Sequence, residues 1–323
     1  MESPDVEIPA GQRLGRVLRA DAKVFHVLVE GEVLQAAPRG RLFEELGEVR
    51  TPVAVGDWVL VGVDGDPPGI ERVLPRANQL SRTSSSHDRR EQVLFANVDQ
   101  LLAVASVAKP GFSSNRTDRI LAACEFQEIP AALVLNKLDL DDAGEAEEIR
   151  PTYERAGYAV LGTSAETGAG LEALRERMRG RTTALYGASG VGKSSLLNAL
   201  WPALALRVGK ISKYWDAGKH TTTFSRLIEV EPGTHVVDTP GIRVFRLYGV
   251  NKIQLRFLFP DIAALQGSCR YPDCAHDHEP GCAVDAAVDE GRLAASRYLS
   301  YAELLDELAP PPEEVRTVDG DEE

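Results

Sequence analysis

Gly187-Ala-Ser-Gly-Val-Gly-Lys193-Ser194 lies between the apolar run TTALY (182–186) and the amphipathic run SSLLNALW (194–201). Strand, glycine-rich turn and helix, in that order, are what a phosphate-binding loop requires. Gly187, Gly190 and Gly192 let backbone N–H groups turn inward around a polyanion, and the helix N-terminus adds its dipole. Lys193 is expected to reach the β- and γ-phosphates, and the Ser194 hydroxyl to ligate Mg²⁺. Ala188, Ser189, Val191 and Ser195 complete the predicted phosphate cradle.

The loop does not tell adenine from guanine. Asn136-Lys137-Leu138-Asp139 follows directly on the apolar strand AALVL. At the carboxyl end of a strand, Asp139 can accept from the N1–H and exocyclic amine of guanine, a donor pair that adenine lacks. Asn136 would tie this loop to the phosphate loop, and the aliphatic stem of Lys137 would cover the base. Thr163-Ser164-Ala165-Glu166 follows a second strand, and the Ala165 N–H is placed to donate to guanine O6. Asp238-Thr-Pro-Gly241 follows the strand THVV, as a nucleotide switch does: Asp238 toward Mg²⁺, Gly241 toward the γ-phosphate. One of Thr221, Thr222 and Thr223 would complete the Mg²⁺ shell, with Thr222 taken as representative.

Around these motifs the chain alternates apolar runs with helical patterns from Asn97 onward, which predicts a doubly wound α/β sheet. Before it, KVFHVLVEGEVL, VAVGDWVLVGVDG and GIERVLP are Val-rich segments broken by Gly, Asp and Pro, the texture of a small β-barrel. The multi-domain reading is therefore an N-terminal, OB-like β-barrel (1–80), a linker (81–96), an α/β nucleotide domain (97–247), a helical Cys/His domain (248–309) and an acidic, disordered tail (310–323).

With 323 residues, 43% hydrophobic and 26% charged, the chain is long enough for several cores, and no apolar run approaches a membrane span. The first residues carry acids where a secretory signal has a basic start, so a cytoplasmic, non-membrane protein is expected. The net charge of −13 is concentrated at the C-terminus, where residues 301–323 hold nine acids and one base. Local basic runs remain for a polyanion: Arg207 to Arg226, and Arg82 with Arg89 and Arg90.

Three of the four cysteines cluster. Cys269-x4-Cys274-x-His276-x5-Cys282 offers three thiolates and one imidazole, a donor set suited to tetrahedral Zn²⁺, with His278 as rival imidazole. Four protein donors leave no open position, so the site reads as structural. Cys124 falls in a helical pattern and is expected in the core.

The guanine readers (136–139 and 163–166) precede the phosphate loop (187–194) and the switches (221–223 and 238–241), a circular permutation of the usual GTPase order. Together with the barrel, the Cys/His cluster and the matches VGDWV, ANVDQ and GKHTTT, this order resembles the family of ribosome small-subunit-dependent GTPase A, a bacterial assembly factor. The resemblance spans roughly residues 12–308. It implies a GTP hydrolase that binds the small (30S) ribosomal subunit and its rRNA, assists late maturation, and releases after hydrolysis to GDP. It also implies one structural Zn²⁺ per chain on Cys269, Cys274, His276 and Cys282, and Mg²⁺ with GTP. Nothing in the sequence suggests an obligate oligomer, so a monomer is expected.

Ras-like enzymes place a water-orienting Gln shortly after the switch glycine; here Gly241 is followed by Ile242. Slow turnover by the isolated chain is expected, with Lys193, Gly241 and, as an internal replacement, His220 as the candidate catalytic groups. Two rivals fit the same residues: a permuted GTPase acting on another RNA or ribonucleoprotein, and an RNA-binding scaffold in which GTP is static.

Overall fold

The computed structural model describes residues 3–21, 24–44, 49–84, 90–204, 225–239 and 245–308. His220, Thr221 to Thr223, Gly241, Arg89, the acidic tail (310–323) and residues 207–224 of the basic run lie outside the described residues, whereas Arg226 is described.

The N-terminal part is a closed barrel of β1 (Gln12–Ala20), β2 (Phe25–Val29), β3 (Glu32–Pro38), β4 (Trp58–Gly62) and β5 (Gly69–Val73), with a short helix α1 (Gly40–Glu44) between β3 and β4. β1 pairs with β2 and β4, β2 with β3, β3 in parallel with β5, and β5 with β4, so the ladder closes in the order 1-2-3-5-4-1. That is the five-stranded Greek-key closure of an OB-type barrel. Val17, Val27, Val59, Val61 and Ile70 fill its interior.

β6 (Gln79–Thr83) and β7 (Glu91–Ala96) form an antiparallel hairpin. The linker expected over 81–96 is thus largely paired strand. Its polar sequence hid this, because a two-stranded ribbon with one face wet needs few apolar residues; Leu80, Val93 and Phe95 face inward.

The nucleotide domain contains β8 (Gln100–Ser106), α2 (Ser114–Phe126), β9 (Ala131–Asn136), α3 (Glu145–Arg155), β10 (Ala159–Gly162), α4 (Leu171–Met178), β11 (Thr182–Tyr186), α5 (Lys193–Leu200), β12 (Arg226–Glu231) and β13 (Thr234–Asp238). The strand order is β10-β9-β8-β11-β13-β12, parallel except for β12, which runs antiparallel to β13. β8 and β11 are buried along their whole length, as strands covered on both faces must be. The chain enters the sheet at β8, proceeds outward to β10, then returns to β11 beside β8. This reversal makes the β8/β11 boundary a topological switch point, where the carboxyl ends of strands open a crevice.

The C-terminal part is helical: α6 (Lys252–Leu255), α7 (Pro260–Ala263), α8 (Ala283–Asp289) and α9 (Ala295–Glu307). α9 packs on α2 through Tyr301, Leu304 and Leu305, the apolar stripe expected from the sequence. Leu308 packs at its edge, and Cys124 is fully buried in α2.

Two seams join these parts. At the first, Gly56 (φ 89°) approaches Ala96 so closely that a Cβ would lie 2.1 Å from its carbonyl oxygen. Asn97 Nδ2 donates to Gly56 O at 3.0 Å, and the buried Arg16 donates to Asn97 O and Thr182 Oγ1, each at 3.2 Å. The matches VGDWV and ANVDQ are thus the two halves of one joint. At the second, Arg297, 1% exposed, donates to Asp118 of α2 at 2.6 Å and to both carboxylate oxygens of Asp261 at 2.8 and 2.9 Å.

Candidate functional site

The phosphate loop leaves β11 and enters α5 at the switch point. Gly190 and Gly192 take φ of 88° and 100°, conformations that favour glycine. A Cβ on Gly192 would lie 2.3 Å from Asn136 Nδ2, so the loop is packed directly against the end of β9. Asn136 Nδ2 donates to Val191 O at 2.9 Å, and its Oδ1 accepts from Thr163 Oγ1 at 3.2 Å. One buried amide thereby joins the loop 187–194 to both segments expected to read the base.

Those segments are also joined to each other. Leu138 N donates to Thr163 O at 3.1 Å, and Ser164 Oγ donates to Asp139 Oδ1 at 2.5 Å while accepting from the N–H groups of Glu166 and Thr167. The serine fixes the carboxylate's rotation while Asp139 itself stays exposed. Lys137 takes a left-handed φ of 66°, and its ammonium donates to Lys109 O. Ala165 is half-buried on the same loop, in contact with the apolar cluster beneath the phosphate loop.

Lys193 Nζ donates to Gly187 O at 2.6 Å and Ala188 O at 3.3 Å. Burial lowers its pKa, against the opposing charge of Asp238. Asp238 ends β13 at 7% exposure; burial raises its carboxyl pKa while Lys193 and Arg226 pull it back. The carboxylate of Asp238 and the hydroxyl of Ser194 are hard oxygen donors at the ends of elements flanking the loop, and they fit Mg²⁺. Ser189, Ser194 and Ser195 all keep some exposure, so their hydroxyls are accessible.

One wall of the site escaped the sequence reading. The turn after β8 carries Lys109 and Pro110; Pro110 Cδ would lie 3.5 Å from a Cβ on Gly190, and Lys109 O accepts from Lys137. Its signal was the run AKPG directly after an apolar strand, legible only once β8 was known to adjoin β11.

A second candidate site lies in the C-terminal part. Single ligand atoms of Cys269, Cys274, His276 and Cys282 all fall within 4.8 Å of one another. His276 Nδ1 lies 3.6 Å from Cys269 Sγ and 3.5 Å from Cys282 Sγ. Tetrahedral bonds of about 2.3 Å to sulfur and about 2.0–2.1 Å to nitrogen give S···N edges of roughly 3.5 Å, so the donors fit a zinc-sized cation. Nδ1 faces the thiols, and Nε2 lies 2.6 Å from the Gln266 side-chain Nε2; a cation on Nδ1 would leave the ring proton on Nε2 and turn the amide oxygen toward it. The Ala283 N–H donates to Cys269 Sγ at 3.3 Å. Burial pushes the thiols of Cys274 and Cys282 above their usual range, so thiolates there need a cation's charge. His278, the rival imidazole, is 77% exposed and faces Asp285 instead.

Among the described residues, no helix is long and apolar enough to cross a membrane.

Comparison with known proteins agrees with this geometry. The family model described as RsgA GTPase matches residues 73–248. The chain is 38% identical over 287 residues to the small ribosomal subunit biogenesis GTPase RsgA of Porphyromonas gingivalis, covering 86% of this chain and 91% of that protein. It is 39% identical over 299 residues to the protein of the same name from Gemmatimonas aurantiaca, covering 91% and 97%. Among solved structures, YjeQ from Thermotoga maritima superposes with a TM-score of 0.70 at 32% identity, covering 92% of this chain and 98% of that one. YloQ, a circularly permuted GTPase, gives 0.66 at 30% identity, covering 94% and 98%.

Proposed function

The chain belongs to the RsgA GTPase family and is a GTP hydrolase, and from that premise we propose that it binds the small ribosomal subunit and its rRNA and assists late maturation. The relatives' names supply the partner; the observation that carries the nucleotide reading is the Asn136 amide that joins the base loop to the phosphate loop.

In this reading Asp139, oriented by Ser164, accepts from the guanine N1–H and amine, the Ala165 N–H donates to O6, and Lys137 with Leu138 borders the base. Residues 187–195 cradle the phosphates, with Lys193 giving up its loop carbonyls to the β- and γ-phosphates. Ser194, Asp238 and one of Thr221 to Thr223, taken as Thr222, hold Mg²⁺, which supplies charge neutralisation at the transferred phosphoryl group. Gly241 senses the γ-phosphate, and His220 is the internal candidate for placing the attacking water.

Cys269, Cys274, His276 and Cys282 hold one Zn²⁺ whose role is to fix the loop around them. The protein acts as a cytoplasmic monomer, and the working units are the barrel, the permuted nucleotide domain and the metal-bearing helices. With Ile242 where Ras-like enzymes keep Gln, the subunit supplies what the isolated chain lacks, and such completion is worth ~10³ to 10⁵ in rate.

The test is GTP hydrolysis with and without stoichiometric small subunits, with ATP and Lys193→Ala as controls. A low, GTP-specific rate that rises by orders of magnitude only with small subunits is expected. No stimulation would sink the ribosomal reading and favour another RNA or a static-GTP scaffold.

A further inference from the structure

Two arginines face each other where the barrel meets the nucleotide sheet. Arg19 of β1 and Arg226 of β12 are direct cross-strand partners. Arg226 is in turn opposite Asp238 of β13, whose other neighbour is Leu185 of β11, two residues before the phosphate loop. Partners in a ladder row project to one face of a sheet. Arg19, Arg226 and Asp238 therefore form a row from the barrel to the candidate Mg²⁺ carboxylate.

Like charges directly opposite are destabilising, and here an acid stands at each end of the row. Asp21 accepts from Arg19 Nε at 2.7 Å and lies 3.3 Å from His26 Nε2. Asp238 stands at the other end. Arg19 is committed to Asp21. Burial and then the repulsion of Arg19 lower the pKa of the half-buried Arg226, while Asp21 of the barrel and Asp238 of the site pull it back. Reciprocally, Arg226 is one of the two cations, after Lys193, that oppose the burial of Asp238.

We propose that Arg226 is a positioning residue for Asp238, its charge divided between Asp238 and Asp21, so that the barrel sets how tightly the nucleotide site holds Mg²⁺. This rests on the reading of Asp238 as a Mg²⁺ contact. A guanidinium drawn toward Asp238 repels the dication and competes for its carboxylate; drawn toward Asp21, it leaves Asp238 to the metal. Whatever engages the barrel near Asp21 then acts on the site through one side chain, and the antiparallel bridge between Arg19 and Arg226 sets that side chain between the two carboxylates.

The experiment is a Mg²⁺ titration of the full-length protein with a fluorescent methylanthraniloyl-GDP, reading the Mg²⁺ concentration at half-maximal nucleotide retention. Arg226→Met should lower that concentration about threefold to tenfold, while Arg226→Lys should hold it within about twofold of the parent. Asp21→Asn should raise it, and that rise should vanish when Asp21→Asn is combined with Arg226→Met, since a shared partner makes the effects non-additive. Equal shifts in the Met and Lys variants, or an Asp21→Asn effect that persists without Arg226, would overturn the proposal in favour of strand packing. An Asp238→Asn control that leaves the Mg²⁺ dependence unchanged overturns the Mg²⁺ reading of Asp238 as well. A shift in that control without one in Arg226→Met overturns the proposal alone.

Discussion

At the scale of single residues the nucleotide site hangs on Asn136, which is 1% exposed and uses both ends of its amide, one on Val191 O and one on Thr163 Oγ1. Removing it takes the Asn136 donor from Val191 O and leaves Thr163 Oγ1 with only a long, 3.5 Å bond to Leu135 O, a loss of roughly 1–3 kcal/mol for the buried group left unpaired. Asn136→Ala should therefore weaken GDP binding by more than about tenfold, with a lowered urea midpoint, both measurable on the same preparation. Asp139 carries a different kind of prediction. A carboxylate accepts from guanine's N1–H and amine; an amide can instead donate to the 2-oxo group of xanthine. Asp139→Asn should shift preference from guanosine to xanthosine nucleotides in competition binding, and unchanged guanosine preference would place the base elsewhere. That these residues come together was legible in the sequence because each stands directly after an apolar strand, and glycine is favoured at the φ of 100° that Gly192 takes against Asn136. Lys109 and Pro110 were not legible, because any short turn would serve there and their importance comes from which strand β8 adjoins.

Elements are joined by groups whose burial makes them costly to break. Arg297 of α9 lies between Asp118 of α2 and Asp261 of α7, with its guanidinium carbon 4.7 Å from the Phe259 ring centroid. Burial raises the carboxyl pKa of Asp118, and the charge of Arg297 pulls it back. Removing one partner of such a pair costs about 3–5 kcal/mol, because the other charge is left buried and alone. Arg297→Met should lower stability by that order, and Arg297→Met combined with Asp118→Leu and Asp261→Leu should recover much of it. Urea unfolding of the two proteins decides the matter. The sequence showed the stripe of α9 but not this network, since an arginine in a helix reads as a solvated residue until its neighbours are known. The β6–β7 hairpin was missed for a related reason: Leu80 is the one apolar residue of QLSRT, and Gln79 and Arg82 are bonded to Glu91 and Gln92 rather than packed. The parallel strands were readable because burial on both faces forces nearly unbroken apolar runs.

Over the whole molecule, the permuted order routes the chain from β13 into the helical part, so the nucleotide domain and the Cys/His loop are neighbours in sequence while being held together elsewhere, by α2 and α9. The two connections differ in kind. The Arg297 network needs no metal, whereas the loop 266–282 would depend on one held by its cluster: the four candidate ligands are buried or half-buried, His276 sits at φ 59°, and Cys282 leads directly into α8. Removing a structural cation should therefore open the loop first, while α9 stays seated on α2 through Tyr301, Leu304 and Arg297. A tight chelator should strip amide exchange protection from residues 266–289 and leave that of 114–126 and 295–307 in place. GDP affinity should change by less than about twofold, since among the described residues the hydrogen bonds of the four cluster side chains stay within the helical part and distant sites add. Loss of protection throughout α2 and α9, with GDP affinity falling in step, would show instead that the metal holds the two parts as one cooperative unit. The helical part would then report the state of its cluster to β9, which ends at Asn136 shortly before Asp139.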